Sequence, residues 1–319
     1  MYSKYILCNQ DVFLYTNAKS VLHHIRPLNI FLAIFAEWSI YYILIQPIPV
    51  ARALVSSLQF LEFIGFSTGM MIAGYIINDL YDEAIDRAND RRSPLIRGVI
   101  SRKALWIAFT AGQSLTLISW FLLWQSYHYH ALIWLLWLGP VGLWFYATRL
   151  KCQPLSGNLL MAFFAACLPA MFLVREPGLP WSLEFPERIR FLFLWYLFFS
   201  FGATWYREIV KDLEDESGDR NGGCSTFPVR FGVASGRRYA LIIGSLYLLG
   251  LVVFLGLLFF RVKFVTWAGI ALIALPTLAI AMKCTIYKDF HQAQQWLKWH
   301  LTAGLFMLWI FKWMEVWNG

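Results

Sequence analysis

The sequence predicts an all-α integral membrane protein with about nine transmembrane helices, and three observations carry that prediction. Of its 319 residues, 59% are hydrophobic and only 14% charged, whereas soluble domains are near a quarter charged. Aromatic residues reach 18%, a level suited to lipid contact and interfacial anchoring. The apolar residues also come in long runs, several near the roughly 20 residues that cross a bilayer as a helix. A disordered chain, a secreted disulfide scaffold and an ordinary soluble enzyme are all excluded.

The spans follow in order along the chain. The first covers about 28–47 and contains Glu37; the second covers about 53–78 and contains Glu62. Ala104 to Thr148 holds 45 residues without Asp, Glu, Lys or Arg, interrupted only by the polar stretch Gln125–His130. That pattern reads as two helices joined by a tight turn. Cys152–Val174, Phe191–Tyr206, Tyr239–Phe260 and Phe264–Met282 are equally free of those four residue types. The ninth span, about 297–316, carries Lys298, Lys312 and Glu315. Glu37 and Glu62 are intramembrane carboxylates, to be read equally as functional groups or as acids satisfied by neighbouring helices.

With nine helices and a cytoplasmic N-terminus, 20 of the 27 Lys and Arg fall on the inside segments, the bias expected of cytoplasmic loops. Residues 1–27 are then a cytoplasmic N-terminal segment without the pattern of a cleavable signal peptide, and 28–319 form one domain in the cell inner membrane. The net charge of +8 is spread over short connections, so it suits anionic lipid headgroups and no nucleic acid is expected as a partner. The cysteines (Cys8, Cys152, Cys167, Cys224, Cys284) are scattered and odd in number, so neither a disulfide framework nor a zinc site is expected. His23, His24, His128 and His130 read as interfacial. Oligomeric state is not legible.

The acids are the most informative feature. Asp79, Asp82, Glu83, Asp86 and Asp90 share one short window; Glu208, Asp212, Glu214, Asp215, Glu216 and Asp219 share another. Together they are 11 of the 19 carboxylates, and four helices between them place both windows on one membrane side. If the second helix runs past Asn78, then Asn78, Asp82 and Asp86 lie on one face at i, i+4 and i+8, with Asp79 beside them. Asp212, Asp215 and Asp219 have the i, i+3, i+7 spacing of a second stripe. Like charges at such spacing repel, and two stripes are tolerable if something strongly positive lies between them. Carboxylate and amide oxygens suit Mg²⁺, which keeps several waters and bridges to phosphate oxygens.

Basic residues flank both stripes: Arg87, Arg91, Arg92 and Arg97 after the first, Arg207 and Lys211 before the second, Arg149 and Lys151 in the short loop between. Such a set grips a diphosphate, and a cavity lined by Phe, Trp and Tyr beneath it takes a long apolar tail. A single acidic cluster beside a membrane is usually a solvated face. Two on one side, each with one-face spacing, favour a site. A cation-coupled transporter would instead place its polar groups near mid-membrane.

Asn78-Asp79-Leu80-Tyr81-Asp82-Glu83-Ala84-Ile85-Asp86 resembles the first aspartate-rich motif of the UbiA superfamily of intramembrane prenyltransferases, and Asp215-x-x-x-Asp219 after Asp212 resembles the second. Arg26-Pro27-x-Asn29, Lys151 with Gly157-Asn158, and Ser225-Thr226 through Phe231-Gly232 extend the likeness over nearly the whole chain. The resemblance implies nine helices around a central cavity and Mg²⁺-dependent transfer of a prenyl group from a polyprenyl diphosphate donor to a lipophilic acceptor. Carried over by position, Asn78, Asp79, Asp82, Asp86, Asp212, Asp215 and Asp219 hold the Mg²⁺–diphosphate. Asp82, Asp86 and Asp215 are catalytic in that role, and Lys151, Arg207 and Lys211 assist the leaving group. The stretch Arg207–Asp219 is most similar to the digeranylgeranylglyceryl phosphate synthases of this superfamily, with enzymes of quinone pathways as near neighbours. Ser93-Pro94-Leu95-Ile96-Arg97-Gly98 departs from the family's usual Arg-Pro-x-Pro-Ser-Gly, in a loop expected to shape the cap over the site.

Overall fold

A computed structural model describes residues 21–22, 24–47, 55–88, 94–127, 131–175 and 186–313, and among these every regular element is helical. In chain order they are α1 (Pro27–Ile40, continued as a π turn Tyr41–Ile45), α2 (Ser57–Ala88), α3 (Arg102–Ser126) and α4 (Ala131–Leu150). Then come α5 (Ser156–Cys167, continued as 3-10 turns Leu168–Arg175), α6 (Glu187–Glu214), α7 (Glu216–Asn221) and α8 (Phe227–Phe231). The chain ends on α9 (Val233–Phe259), α10 (Phe264–Ile286) and α11 (Phe290–Phe311). Six of the expected spans are long and apolar enough to cross a membrane among the described residues: those of α1, α2, α3, α4, α9 and α10. The other three are helical as well, but α5 is a shorter apolar helix, and α6 and α11 carry charged ends. The chain is a multi-pass membrane protein.

The helices present apolar side chains outward: Ile107, Leu117, Ile118 and Phe121 on α3, and Ile242, Leu246, Leu249 and Val252 on α9, are all exposed. In water such faces would be unfavourable at about 25 cal/mol per Å²; against lipid they cost nothing. Association between helices then rests on close packing and buried polar contacts. The pair α2–α3 shows the first. A Cβ on Gly69 would stand 2.6 Å from the Gly112 carbonyl oxygen, so the two backbones approach as no larger residue permits. Polar pins show the second: Tyr206 and Thr285 join α6 to α10 at 2.8 Å, and His300 joins Tyr247 at 2.7 Å and Thr277 at 2.8 Å. Trp309 on α11 donates to Ser39 on α1 at 2.9 Å and stacks on Trp38, so the last helix returns to the first.

Glu37 accepts from Ser67 and Glu62 from Ser126, each at 3.0 Å. Both are buried and served by a neighbouring helix, three turns or more along α2 from Asn78. His23, His128, His130, Cys8, Asp90, Arg91, Arg92 and Ser93 lie outside the described residues.

α2 determines where the first acidic window goes. Its 32 residues extend about 48 Å at 1.5 Å per residue, against about 30 Å of hydrocarbon. Its last turns therefore project beyond the apolar layer. Leu95 folds back beside Ile76, Ile77 and Leu80, with Ile100 and Leu105, and seats the loop after α2 on the helix.

Candidate active site

The first stripe forms as its spacing dictates. α2 is continuous through Asp86, and Asn78 Nδ2 donates to Asp82 Oδ2 at 2.8 Å. Asp86 lies one turn further on and is half-buried. Asp79, one residue round the helix from Asn78, is turned to the segment before α1. Its Oδ2 is 2.8 Å from His24 Nδ1, and its Oδ1 accepts from Arg26 at 2.7 Å. His24 is thus buried at 2% exposure and not interfacial, because pairing with a carboxylate compensates its removal from water.

The second stripe departs from the expected single face. α6 ends at Glu214, Asp215 breaks it with φ −87° and ψ 1°, and α7 restarts at Glu216. The helix dipole gives the reason. Acids at the C-terminus of α6 meet its negative end, whereas the break places Glu216 and Asp219 in the first turn of a new helix, where anions are favoured. Asp219 accepts from Thr226 Oγ1 at 3.1 Å, and Asp212 accepts from Asn158 Nδ2 at 2.9 Å. Gly232, at φ +85°, turns the chain from α8 into α9 in a conformation that only glycine adopts readily.

α4 ends in a π turn, with Lys151 N–H donating to Tyr146 O at 2.9 Å. That widened turn delivers Lys151 to Asp82, with which it forms an ion pair. Lys151 also stands within electrostatic reach of Asp219 and opposes the rise that burial gives its carboxyl. Tyr146 tells the same story, standing within electrostatic reach of Asp82 on one side and Glu208, Lys211 and Asp212 on the other. α7 packs against α2. The two windows therefore face one space.

The expectation of no disulfide is corrected here: Cys152 and Cys224 are joined, with Cα atoms 4.5 Å apart across 72 residues of sequence. Ser225 N–H also donates to Cys152 O at 2.9 Å. The loop that carries Lys151 is thereby tied to the loop that carries Thr226. Scattered cysteines give no spacing signal when the fold brings their loops together.

Charge in the site is only partly balanced. Arg207 pairs with Glu208 at 2.7 Å, and Lys211 lies 4.0 Å from the same carboxylate. Glu208 beside it holds the Lys211 ammonium above the ordinary lysine range. Burial pushes the Asp212 carboxyl up to about 7 against the opposing Asn158 bond, and burial raises Asp219 as well, with Thr226 opposing.

These residues fit a divalent cation. Asn78 Oδ1 is buried with no hydrogen-bond partner among the described residues, an oxygen left for a ligand that seeks oxygen. Carboxyls raised by burial gain most from an incoming positive charge. Among the described residues, no three His, Cys, Asp or Glu side chains form a ready cage. Oxygen ligands from an amide and carboxyls suit Mg²⁺, which keeps several waters.

Sequence reasoning missed His24, Tyr75 and Tyr146. Tyr75 is one turn before Asp79 on α2, and Arg26 stacks over its ring at 5.0 Å. None has a spacing signal; the π turn at Tyr146 is a structural one.

Residues 39–311 match the UbiA prenyltransferase family. A digeranylgeranylglyceryl phosphate synthase of Thermococcus kodakarensis is 30% identical over 54% of this chain and 56% of its own length. The protein of that name from Saccharolobus solfataricus is 30% identical over 79% of this chain and 86% of its own. The chain spans about half the length of most of the curated relatives it matches. A solved UbiA homologue from Archaeoglobus fulgidus, bound to GPP and Mg²⁺, shares the fold with a TM-score of 0.54 and 15% identity over 91% of this chain and 99% of that one.

Proposed function

The chain belongs to the UbiA prenyltransferase family, and on that premise we propose that it moves a polyprenyl group from an allylic diphosphate to a lipophilic acceptor. The donor is geranylgeranyl diphosphate, and the acceptor is geranylgeranylglyceryl phosphate, a step in ether-lipid synthesis. The site opens to the cytoplasm from the cell inner membrane, as the positive charge of its flanking loops supports. The observation that carries the reading is the Lys151–Asp82 ion pair on α2, the helix against which α7, the bearer of Asp219, also packs. The substrates follow the names of the curated relatives.

Asn78, Asp82, Asp86, Asp212, Asp215 and Asp219 would hold Mg²⁺. Asp79 would join them only by releasing His24 or Arg26. When bound, Mg²⁺ would draw charge from the diphosphate oxygens and weaken the allylic C–O bond. Lys151, Arg207 and Lys211 donate to the departing diphosphate, which takes the electron pair of that bond. The acceptor hydroxyl oxygen then bonds the allylic carbon and loses its proton, giving ether, diphosphate and H⁺. The apolar helices keep water from intercepting the cationic carbon.

An acceptor panel with radiolabelled geranylgeranyl diphosphate tests the assignment. Label should pass to geranylgeranylglyceryl phosphate. Label only on hydroxybenzoate or dihydroxynaphthoate would move the acceptor to aromatic quinone precursors.

A further inference from the structure

Two connections meet beside the acidic motifs. The one between α4 and α5 carries Lys151 and Cys152; the one between α7 and α8 carries Cys224, Ser225 and Thr226. Each is bonded to a motif next to its cysteine. Lys151 forms its ion pair with Asp82. Cys224 N–H donates to Asp219 O at 2.9 Å, and Thr226 Oγ1 donates to Asp219 Oδ2 at 3.1 Å. The Cys152–Cys224 bridge therefore fixes how the Lys151 side of the site stands against the Asp219 side. Ser225 N–H to Cys152 O adds one backbone hydrogen bond to the same junction, a modest contribution because water competes for both groups.

The α4–α5 connection is also strained. Leu155 has φ +65° and ψ −31°, a left-handed backbone that crowds its Cβ, and such a residue persists only where its surroundings hold it. α5 holds one side of it, through Asn158 bonded to Asp212; the bridge at Cys152 holds the other. Opening the bridge frees that second side, and Lys151 is on it. The two sulfurs are unequally reached: Cys224 is 5% exposed, whereas Cys152 is half-buried, so a thiol from solution meets Cys152. Disulfides bathed by a reducing cytoplasm are mostly transient, catalytic or redox-sensing.

We propose that Cys152 and Cys224 form a thiol–disulfide switch on the site, in which the bridged form holds Mg²⁺–diphosphate more tightly than the dithiol form. This rests on the reading of the site as a cytoplasm-facing Mg²⁺–diphosphate site and adds its regulation. The co-reactant is a low-molecular-weight thiol of the glutathione class. Its thiolate attacks Cys152 Sγ; the S–S bond breaks and its electron pair leaves on Cys224 Sγ. A second thiolate attacks the outer sulfur of the mixed disulfide and expels the Cys152 thiolate. The two protons lost by the attacking thiols end on Cys224 and Cys152. Two small thiols are oxidised to one disulfide, the bridge is reduced by two electrons, and the reverse exchange restores it.

Binding of inorganic diphosphate with Mg²⁺ to the full chain in detergent, in glutathione buffers of defined ratio with thiols counted by maleimide labelling, tests this. The bridge should open and close within the cytoplasmic range of ratios, and the bridged form should bind ~5-fold more tightly or better. Linkage then requires the ligand to shift the midpoint ratio toward the bridged form by the same factor. Cys152→Ser combined with Cys224→Ser should bind as the dithiol form does at every ratio. Equal affinity in the two forms, or a midpoint that Mg²⁺–diphosphate leaves in place, overturns the switch. So does a pair that stays closed or stays open across cytoplasmic ratios, or a double variant that binds as the bridged form does. Transfer of label from geranylgeranyl diphosphate separates the claims: a coupled switch without transfer rejects the assigned reaction alone, and transfer with equal affinities rejects the switch alone.

Discussion

His24 Nδ1 lies 2.8 Å from Asp79 Oδ2, and that contact ties the segment before the first helix to the first acidic motif. Arg26 takes the other oxygen at 2.7 Å. Both Asp79 oxygens are thus engaged by the segment before α1, which clamps that segment to α2. His24→Ala leaves one buried oxygen short of a partner, a loss of about 1–3 kcal/mol. A lower unfolding temperature and a several-fold higher KM for the donor are expected; a variant indistinguishable from wild type in both would contradict the clamp.

Asn158 and Asp212 set a pH dependence. With its carboxyl pushed up to about 7 by burial, Asp212 is mostly protonated at pH 6 and mostly ionised at pH 8. A cation binds the ionised form, so Mg²⁺ affinity rises with pH through 7 and levels off above 8, with proton release at pH 6.5. Asn158→Ala removes a bond that favours the ionised form, worth about 1.5 kcal/mol, which shifts the profile alkaline by about one pH unit. Titration of Mg²⁺ binding across this range reads both. A flat profile in the wild type would show that Asp212 does not meet the metal.

Lys151 pairs with Asp82 and stands within electrostatic reach of Asp219, so its removal should cost more than a surface ion pair would. Lys151→Met should lower kcat by about 10²-fold or more, the scale of losing a charge aimed at the leaving group, and Lys151→Arg should restore part of it. Steady-state kinetics on folded, Mg²⁺-binding protein is the measurement. A Met variant that retains full kcat would remove Lys151 from the reaction.

The Cys152–Cys224 bridge closes a long stretch of chain, for which the usual stabilisation is about 2–4 kcal/mol. The Ser225–Cys152 backbone bond and the surrounding helices already join these loops, so the lower end is expected. Cys152→Ser combined with Cys224→Ser should lower the unfolding temperature and abolish its sensitivity to a thiol reductant. Identical melting of reduced wild type, oxidised wild type and double variant would show the bridge to be energetically idle.

The sequence displays the lipid-facing helices and both acidic windows openly, because each depends on local pattern: run length for a span, i+4 spacing for Asn78, Asp82 and Asp86. What it conceals is long-range. His24 reaches Asp79 across 55 residues, and Cys152 reaches Cys224 across 72; neither separation leaves a periodic trace. The break at Asp215 was hidden for a different reason. Spacing alone predicts one stripe, and only the polarity of the helix end explains why α6 stops and α7 begins.

The central claim is that the two acidic windows act together on one Mg²⁺–diphosphate. Release of diphosphate from geranylgeranyl diphosphate, followed against Mg²⁺ concentration in wild type, Asp82→Asn and Asp219→Asn, tests it most directly. Release should be Mg²⁺-dependent in the wild type, and each substitution should depress it by about 10²-fold or more, with a higher Mg²⁺ requirement in both. Release that persists in chelator, or that survives loss of either aspartate with its Mg²⁺ dependence unchanged, would contradict the account.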